Sequence, residues 1–395
     1  MRILFLNHNP EWSGTFFRIF FLSKYLIRYG HNVLMTSISS QKTSRATLKT
    51  IDGVRILLHP RLSDIAVGEM PAHIMRGFLN AYVGSASKFD IVHSTTVGCP
   101  TTGLPVPAFK IFQALRLRDY KIFVDWDDIW GRDGFMSFTH RGKIIEIIAT
   151  ILEEKVPLCA DHVTVVSETI RQRALSVGIR PEKITQIPNG ANVEGIKPLP
   201  MLQARKSLGL PNDDKILCFV GNLLISVDLL LRSLKIVIRS FPNTRLLLIS
   251  QLKTDHLRKI TALNLTKEVI PVGVQPYTEI PHYLGASDIL LMPRANNFIE
   301  RANFPARLMD YLAAGRPVVA TALGEVERVI RESNGGLLAA PDNPEDFADK
   351  IIELMENPQL CDELGKNARE AAENKFSWQI VTKKLEKVYI NVSKT

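Results

Sequence analysis

Short apolar runs with polar C-terminal ends recur along the chain, separated by stretches whose apolar residues return every three or four positions. Residues 2–6 form the first such run, closed by Asn7-His8-Asn9-Pro10. The tight Trp12-Ser13-Gly14-Thr15 loop follows. A helix is then predicted over 16–29, stopped by Gly30 where left-handed backbone is favoured. Strands are predicted at 32–37, 54–59, 90–93, 121–124 and 161–166, and Ser167 caps a helix running to 177. The same grammar restarts in the second half. Strands are expected at 215–220, 245–250, 269–272, 288–292 and 317–320. Helices are expected at 229–240, 256–263, 280–286, 304–314, 344–357 and 359–374. Apolar strands interleaved with helices argue an α/β fold with parallel sheets covered on both faces.

Ile187-Pro188-Asn189-Gly190 and the Pro-rich stretch at 195–200 break the pattern and mark a boundary. The organisation predicted is an N-terminal domain over 1–190 and a C-terminal domain over 191–375. A final amphipathic helix over 376–395 either crosses back to the first domain or packs on the second. Two doubly wound sheets of this kind are expected to face a central cleft, with ligands at the C-terminal ends of their strands.

Composition narrows the function classes. Hydrophobic residues make up 46% and charged residues 23% of the 395, so each half can bury a core of its own. No apolar run approaches the ~18 residues of a membrane span, and the apolar start is too short for a secretory signal. A cytoplasmic location, peripheral on the inner membrane face, is the expectation. Cys99, Cys159, Cys218 and Cys361 are scattered without metal-ligand spacing, which fits a reducing compartment. The net charge of +9 is concentrated in residues 1–198, with 24 Lys and Arg against 17 Asp and Glu. A basic half suits an anionic ligand or an anionic lipid surface. The absence of arginine-rich runs with interleaved aromatics argues against nucleic acid.

In this order the motifs resemble those of the retaining group 1 (family 4) glycosyltransferases, over nearly the whole chain. Gly30-His31-Asn32-Val33 is similar to the family's "rGHxV", Phe89-Asp90-Ile91-Val92-His93 to "fDvVH", and Ile187-Pro188-Asn189-Gly190 to "iPNGvd". The most specific block runs from Phe304-Pro305-Ala306-Arg307 through Asp310-Tyr311-Leu312-Ala313-Ala314-Gly315 to Pro317-Val318-Val319-Ala320. It resembles the family's donor-site "xPxKxxEYLAxGxPVVA". The resemblance implies the GT-B fold of two Rossmann-like domains, with a nucleotide sugar as donor substrate and no cofactor or metal required.

The donor block also has a physical reading. Pro305 stands where a helix would begin, leaving free N–H groups that suit a diphosphate. Arg307 in the first turn can add a bidentate phosphate contact. Asp310, one turn on, can accept hydrogen bonds from two vicinal ribose hydroxyls, the task the family gives this position. Asn303, Phe304 and the Gly221 turn are placed beside it on the donor side, with Asn222, Arg294 and Gly273. The backbone at Val272-Gly273-Val274 is expected to select the base.

Two departures stand out. The first acidic residue of the family's pair is here Ala302, leaving Glu300 or Asn303 as substitutes. The basic pair expected after Gly221 is missing, since Asn222 through Asp228 contains no cation, so neutralisation falls to Arg307, Arg294 or Arg301.

Asp125-Trp126-Asp127-Asp128-Ile129-Trp130 follows the predicted strand at 121–124. The family commonly carries a histidine here, and Asp127 most nearly replaces it. Three close carboxylates are open to three roles: a cation site, a polar contact to a sugar, or helix capping. Asp127, Gly14 and Glu300 are the catalytic candidates, and Asp125, Asp128 and His93 are placed on the acceptor side. Residues 104–118 and 141–155 mix apolar and basic positions suited to an anionic membrane beside a lipid-linked acceptor. The function implied is transfer of a sugar from a nucleotide sugar to a hydroxyl of a glycan, lipid-linked sugar or small molecule, with retention. A non-catalytic binding protein of the same fold and a nucleotide-sugar epimerase are the alternatives.

Overall fold

The structure, a computed structural model, describes residues 1–61, 70–138, 142–221 and 226–394. It divides into two compact units. The first comprises Met1–Asn189, Ala302–Phe304 and Trp378–Thr395; the second comprises Gly190–Arg301 and Pro305–Ser377.

The first unit opens with β1 (Arg2–Leu6), α1 (Phe16–Arg28), β2 (Asn32–Ile38), β3 (Thr47–Ile51) and β4 (Val54–His59). It continues through α2 (Met70–Ala86), β5 (Ile91–Thr95), α3 (Pro100–Gly103), α4 (Pro105–Ala114) and β6 (Lys121–Trp126). Then follow α5 (Phe135–Phe138), α6 (Lys143–Lys155), β7 (His162–Val165), α7 (Glu168–Ser176) and β8 (Ile184–Gln186). The sheet runs β3-β4-β2-β1-β5-β6-β7-β8. Every pair is parallel except β3 with β4. That hairpin was not expected. Its signal is Asp52-Gly53, both at positive φ (47° and 80°), the two-residue turn that matches strand twist.

The second unit carries α8 (Met201–Ser207), β9 (Lys215–Val220), α9 (Val227–Ser240), β10 (Thr244–Ile249) and α10 (Thr254–Ala262). It proceeds through β11 (Val269–Pro271), α11 (Ile280–Ala286), β12 (Ile289–Met292), α12 (Phe298–Ala302) and α13 (Ala306–Ala314). It closes with β13 (Val318–Thr321), α14 (Gly324–Ser333), β14 (Gly336–Ala339), α15 (Pro344–Glu356) and α16 (Pro358–Asn374). The all-parallel sheet runs β11-β10-β9-β12-β13-β14. Its core joins Leu217 and Phe219 of β9 to Leu230 and Leu234 of α9 and Phe347 and Ile351 of α15.

The last helix, α17 (Trp378–Ser393), belongs to the first unit. Trp378 stacks on Phe21 of α1 with ring centroids 5.6 Å apart. Glu386 meets His31 at 2.9 Å, and the Tyr389 hydroxyl lies 2.6 Å from His93 Nδ1.

One polar contact runs through the first unit's interior. Arg18 of α1 is 4% exposed and Asp125 of β6 is 0% exposed. Arg18 Nε and Nη2 donate to the two oxygens of Asp125 at 2.7 and 2.9 Å. Nη2 also donates to the Ile187 carbonyl at 2.8 Å, and Nη1 to Pro188 O and Asn189 Oδ1 at 2.9 and 3.2 Å. All five guanidinium N–H groups are thereby used. The strand therefore extends two residues further than its apolar run predicts, because Asp125 has a buried partner.

Arg18→Met and Asp125→Asn should each lower unfolding free energy by about 3–5 kcal/mol, since each leaves a buried charge alone. The double variant should lose clearly less than the sum. Urea denaturation of the four proteins measures both the losses and the coupling; simple additivity would show that the pair is not coupled.

Candidate functional site

The loops at the C-terminal ends of β1, β5 and β6 converge on Asp127. Thr15, at the head of α1, donates to its Oδ2 at 2.6 Å, and Thr96 donates to its Oδ1 at 2.5 Å. Thr96 adopts φ +47°, a costly conformation for a β-branched residue, and this turn aims its hydroxyl. Gly14 adopts φ +52°, and the Asn9 side chain occupies the space a Cβ would need. Burial pushes the Asp127 carboxyl up to about 6, and the negative charge of Asp125 adds to the rise. The two threonine hydrogen bonds and Arg18 act the other way.

Glu153 of α6 fixes the loop beyond Asp127. It accepts from Trp126 Nε1 at 3.1 Å, from the Trp130 amide at 2.8 Å and from the Gly131 amide at 3.0 Å. Burial lifts its carboxyl to about 7. His8 is buried edge-on to Trp130, with centroids 4.9 Å apart. Burial drops its imidazole to about 3, so it is neutral at pH 7.

The acceptor-side expectations need correction. Asp125 lies inside β6 with its charge consumed by Arg18, and Thr164 donates to it at 2.5 Å. His93 is 1% exposed, its two ring nitrogens against Tyr389 Oη and Thr164 Oγ1, and burial lowers it to about 4. It is a core histidine. Asp128 accepts from the next amide, that of Ile129, at 3.0 Å. The three carboxylates thus point to different partners and do not converge on a cation site.

In the second unit, the first turn of α13 stands at the C-terminal ends of β9 and β12. Pro305 is its N-cap, at φ −71° and ψ 114°. The Arg307 guanidinium lies 4.9 Å over the Phe219 ring, and its Nε reaches Met292 Sδ at 3.4 Å. Gly221 adopts φ +118°, and a Cβ there would collide with that guanidinium. The positive φ favours glycine at this position, while the guanidinium, as the end of a flexible side chain, could shift aside. Asp310, one turn on, accepts from the Tyr277 hydroxyl at 2.9 Å, and Asn192 Nδ2 stands 3.5 Å from the same hydroxyl. Burial pushes the Asp310 carboxyl up to about 7, against the Tyr277 hydrogen bond. Gly273, at φ +80°, has open space where a side chain would stand.

Other donor-side expectations are changed. Arg294 is 4% exposed and forms an ion pair with Glu300, whose backbone carbonyl also accepts from Nη2 at 2.9 Å. The pairing removes Arg294 as a ready phosphate contact and gives Glu300 a structural task. Asn303 and Phe304 group with the first unit. There Phe304 is buried and its carbonyl accepts from Asn189 Nδ2 at 2.8 Å. Asn222 lies outside the described residues. Sequence reasoning missed Thr15, Thr96, Arg18 and Tyr277. Thr15 adjoins the glycine loop and was within reach; Thr96 and Tyr277 carry no local signal.

Two family models divide the chain between them. "Glycosyltransferase Family 4" matches residues 12–194 and "Glycosyl transferases group 1" matches residues 201–371. A D-inositol 3-phosphate glycosyltransferase of Thermobispora bispora is 26% identical over 260 residues, 61% of this chain and 58% of that protein. The match thus spans under two thirds of that relative's length. Sucrose-phosphate synthase from Thermosynechococcus elongatus superposes with a TM-score of 0.76 at 18% identity, over 99% of this chain and 98% of that one. Anabaena HepE, solved with UDP and glucose, gives 0.74 at 16% identity, over 99% and 100%. At such identities these structures speak for the fold, two parallel-sheet domains of the GT-B kind. With both halves matched in order, the chain belongs to the group 1 glycosyltransferases of the GT-B fold.

Proposed function

We propose that the protein transfers a sugar from a nucleoside diphosphate sugar to an acceptor hydroxyl, with retention of anomeric configuration. The observation that carries this reading is the first turn of α13. Free backbone N–H groups, the Arg307 guanidinium and the Asp310 carboxylate stand there within one helical turn. The N–H groups and Arg307 take the diphosphate. Ionised Asp310, steadied by Tyr277, accepts from the two ribose hydroxyls. The Gly221 turn admits the ligand backbone-close, and the open edge at Gly273 takes the base.

The bond between the anomeric carbon and the diphosphate oxygen breaks as the acceptor oxygen bonds on the same face. The acceptor proton passes to the departing phosphate oxygen. Stabilisation of charge growing on the diphosphate is the main catalytic contribution. Asp127, held by Thr15 and Thr96 beside the Gly14 loop, orients a sugar or acceptor hydroxyl. The acceptor is a glycan or lipid-linked sugar. A binding protein without catalysis is the second reading, motivated by the missing cations after Gly221 and by Arg294 engaged with Glu300. It predicts nucleotide binding with no transfer to any acceptor.

Asp310→Ala should weaken nucleoside diphosphate binding by at least about tenfold, the worth of a lost charged hydrogen bond, with a cooperative melting transition of the free protein retained. A thermal-shift titration with nucleoside diphosphates and their sugars measures this. Unchanged affinity in the folded variant would remove Asp310 from the site.

The same carboxyl sets a pH dependence. Because burial raises it to about 7, the ionised form that accepts ribose hydroxyls fills as pH rises, and nucleotide affinity should climb through pH 7. Ligand-free stability moves oppositely. A raised carboxyl favours the folded state below about pH 4, and that contribution is lost as pH rises through 7. Asp310→Asn should therefore gain in melting temperature relative to wild type between those limits. Parallel melting curves at all pH values would show that Asp310 titrates normally.

A further inference from the structure

The helices α2 and α6 turn polar side chains inward and large apolar ones outward, while α4 between them buries Val106 and Phe109. In α2, Arg76 and Asn80 are buried, donating to Pro60 O at 3.0 Å and Thr101 O at 2.8 Å, while Phe78 and Tyr82 are 68% and 69% exposed. Gly77 and Gly84 let this polar face sit close, against the Pro100 carbonyl and the Phe109 ring. In α6, Ile144, Ile147, Ile148 and Ile151 form an exposed stripe at helical spacing. The acidic residues of α6 are engaged elsewhere: Glu146 with Ser137, Glu153 with the Trp130 loop and Glu154 with Arg173. Beyond α4, Leu115 and Leu117 are 62% and 57% exposed. Among the described residues, 12 of the 20 exposed large apolar side chains fall between Ile74 and Leu158. The three helices pack together through α3, which touches all of them, so these side chains belong to one region of the first unit. A soluble surface does not gather apolar side chains this way without a partner.

The charges around the stripe say which partner. Lys143 and Lys155 stand exposed at the two ends of α6, and Arg116 stands exposed between Leu115 and Leu117. None of the three has a carboxylate within ion-pair distance among the described residues. A second copy of the chain, docked symmetrically through this face, would gather the cations of both copies into one interface. An anionic lipid surface takes up both the isoleucines and the cations. A small cavity of about 70 Å³ then opens between the start of α2 and α6, lined by His73, Cys99, Trp130, Met136 and Ile148. It joins the apolar stripe to the Trp130 loop that follows Asp127. We propose that the α2–α4–α6 face seats on an anionic lipid bilayer and that the acceptor hydroxyl is presented to Asp127 from an amphiphile in that bilayer. The second half of this statement rests on the transferase reading above.

Flotation of the full chain with phosphatidylcholine vesicles, with and without phosphatidylglycerol, tests the docking. Wild type should float with the anionic vesicles and far less with the neutral ones. Ile147→Glu with Ile151→Glu should lose at least about tenfold in vesicle affinity, as two buried apolar contacts are replaced by charges. Lys143→Gln with Lys155→Gln should lose at least about tenfold and blunt the salt dependence. Phe78→Ser on α2 should weaken binding in the same direction, and an unchanged melting temperature in each variant verifies folding. Absence of vesicle binding at low salt would overturn the proposal. So would equal binding to neutral vesicles, or a dimer in sedimentation that the isoleucine variants dissolve. For the acceptor, wild type should transfer sugar to a bilayer-embedded lipid acceptor, and the isoleucine variants should lose that transfer while keeping nucleotide binding. Docking with transfer only to water-soluble acceptors would overturn the acceptor assignment. Docking with no transfer to any acceptor would instead overturn the transferase reading and leave the surface standing.

Discussion

Burying a guanidinium is costly unless its N–H groups find acceptors, and Arg18 of α1 finds five of them on two other pieces of the first unit. One is Asp125, two residues short of Asp127 in sequence and on the strand that delivers it. The other is the Ile187-Pro188-Asn189 segment that follows the last strand of the sheet. Arg18 itself ties both to α1, whose head carries Thr15 and the Gly14 loop. The pair therefore fixes the angle at which β6 and α1 present the groups around Asp127. Its charge also reaches Asp127: Asp125 pushes that carboxyl up, and Arg18 pulls it down. The packing of the unit and the protonation of its candidate site share one contact.

On the proposed function, the second unit faces a related problem with few charges. A diphosphate normally calls for several cations, and residues 222–228 supply none. What remains is a helix start and Arg307, whose guanidinium is laid across Phe219 with Nε against Met292 Sδ. A cation held over a ring keeps fewer rotamers, so less freedom is lost when a phosphate arrives. Arg294 and Glu300 neutralise one another beside it, holding the segment before α13 without adding net charge. A site of this kind depends on placement more than on total charge.

Much of this architecture is legible in sequence, since parallel strands buried on both faces read as unbroken apolar runs. β1, β4 and β9 begin and end where those runs do. The errors fall where a polar residue is buried with a partner distant in the chain. β6 continues through Asp125 because Arg18 lies more than a hundred positions earlier, and His93 sinks into the core because Tyr389 meets it from α17. Local pattern cannot reveal such partners. The β3–β4 hairpin is a different failure, as Asp52-Gly53 announced it plainly. In the donor block, the motif places Pro305, Arg307 and Asp310 on one helix start, while Tyr277, which steadies Asp310, comes from a loop with no distinguishing residues.

Asp127 and Asp310 are raised for the same leading reason, burial, and among the described residues neither forms an ion pair. Each is approached by hydroxyl donors of the protein: Thr15 and Thr96 for one, Tyr277 for the other. Hydroxyl donors favour ionisation less strongly than a guanidinium does, so both carboxyls are left near the point of titration. A sugar or ribose arrives with further hydroxyls, and every hydrogen bond it donates lowers the carboxyl it meets. On the proposed function, ligand binding and proton release are therefore linked at both positions. A carboxylate bound to arginine in advance, as Asp125 is, would be ionised at any physiological pH and would have little left to offer a substrate. The chain uses the two chemistries in different places: arginine-paired carboxylate inside the sheet, hydroxyl-paired carboxylates at the two positions proposed to hold ligands.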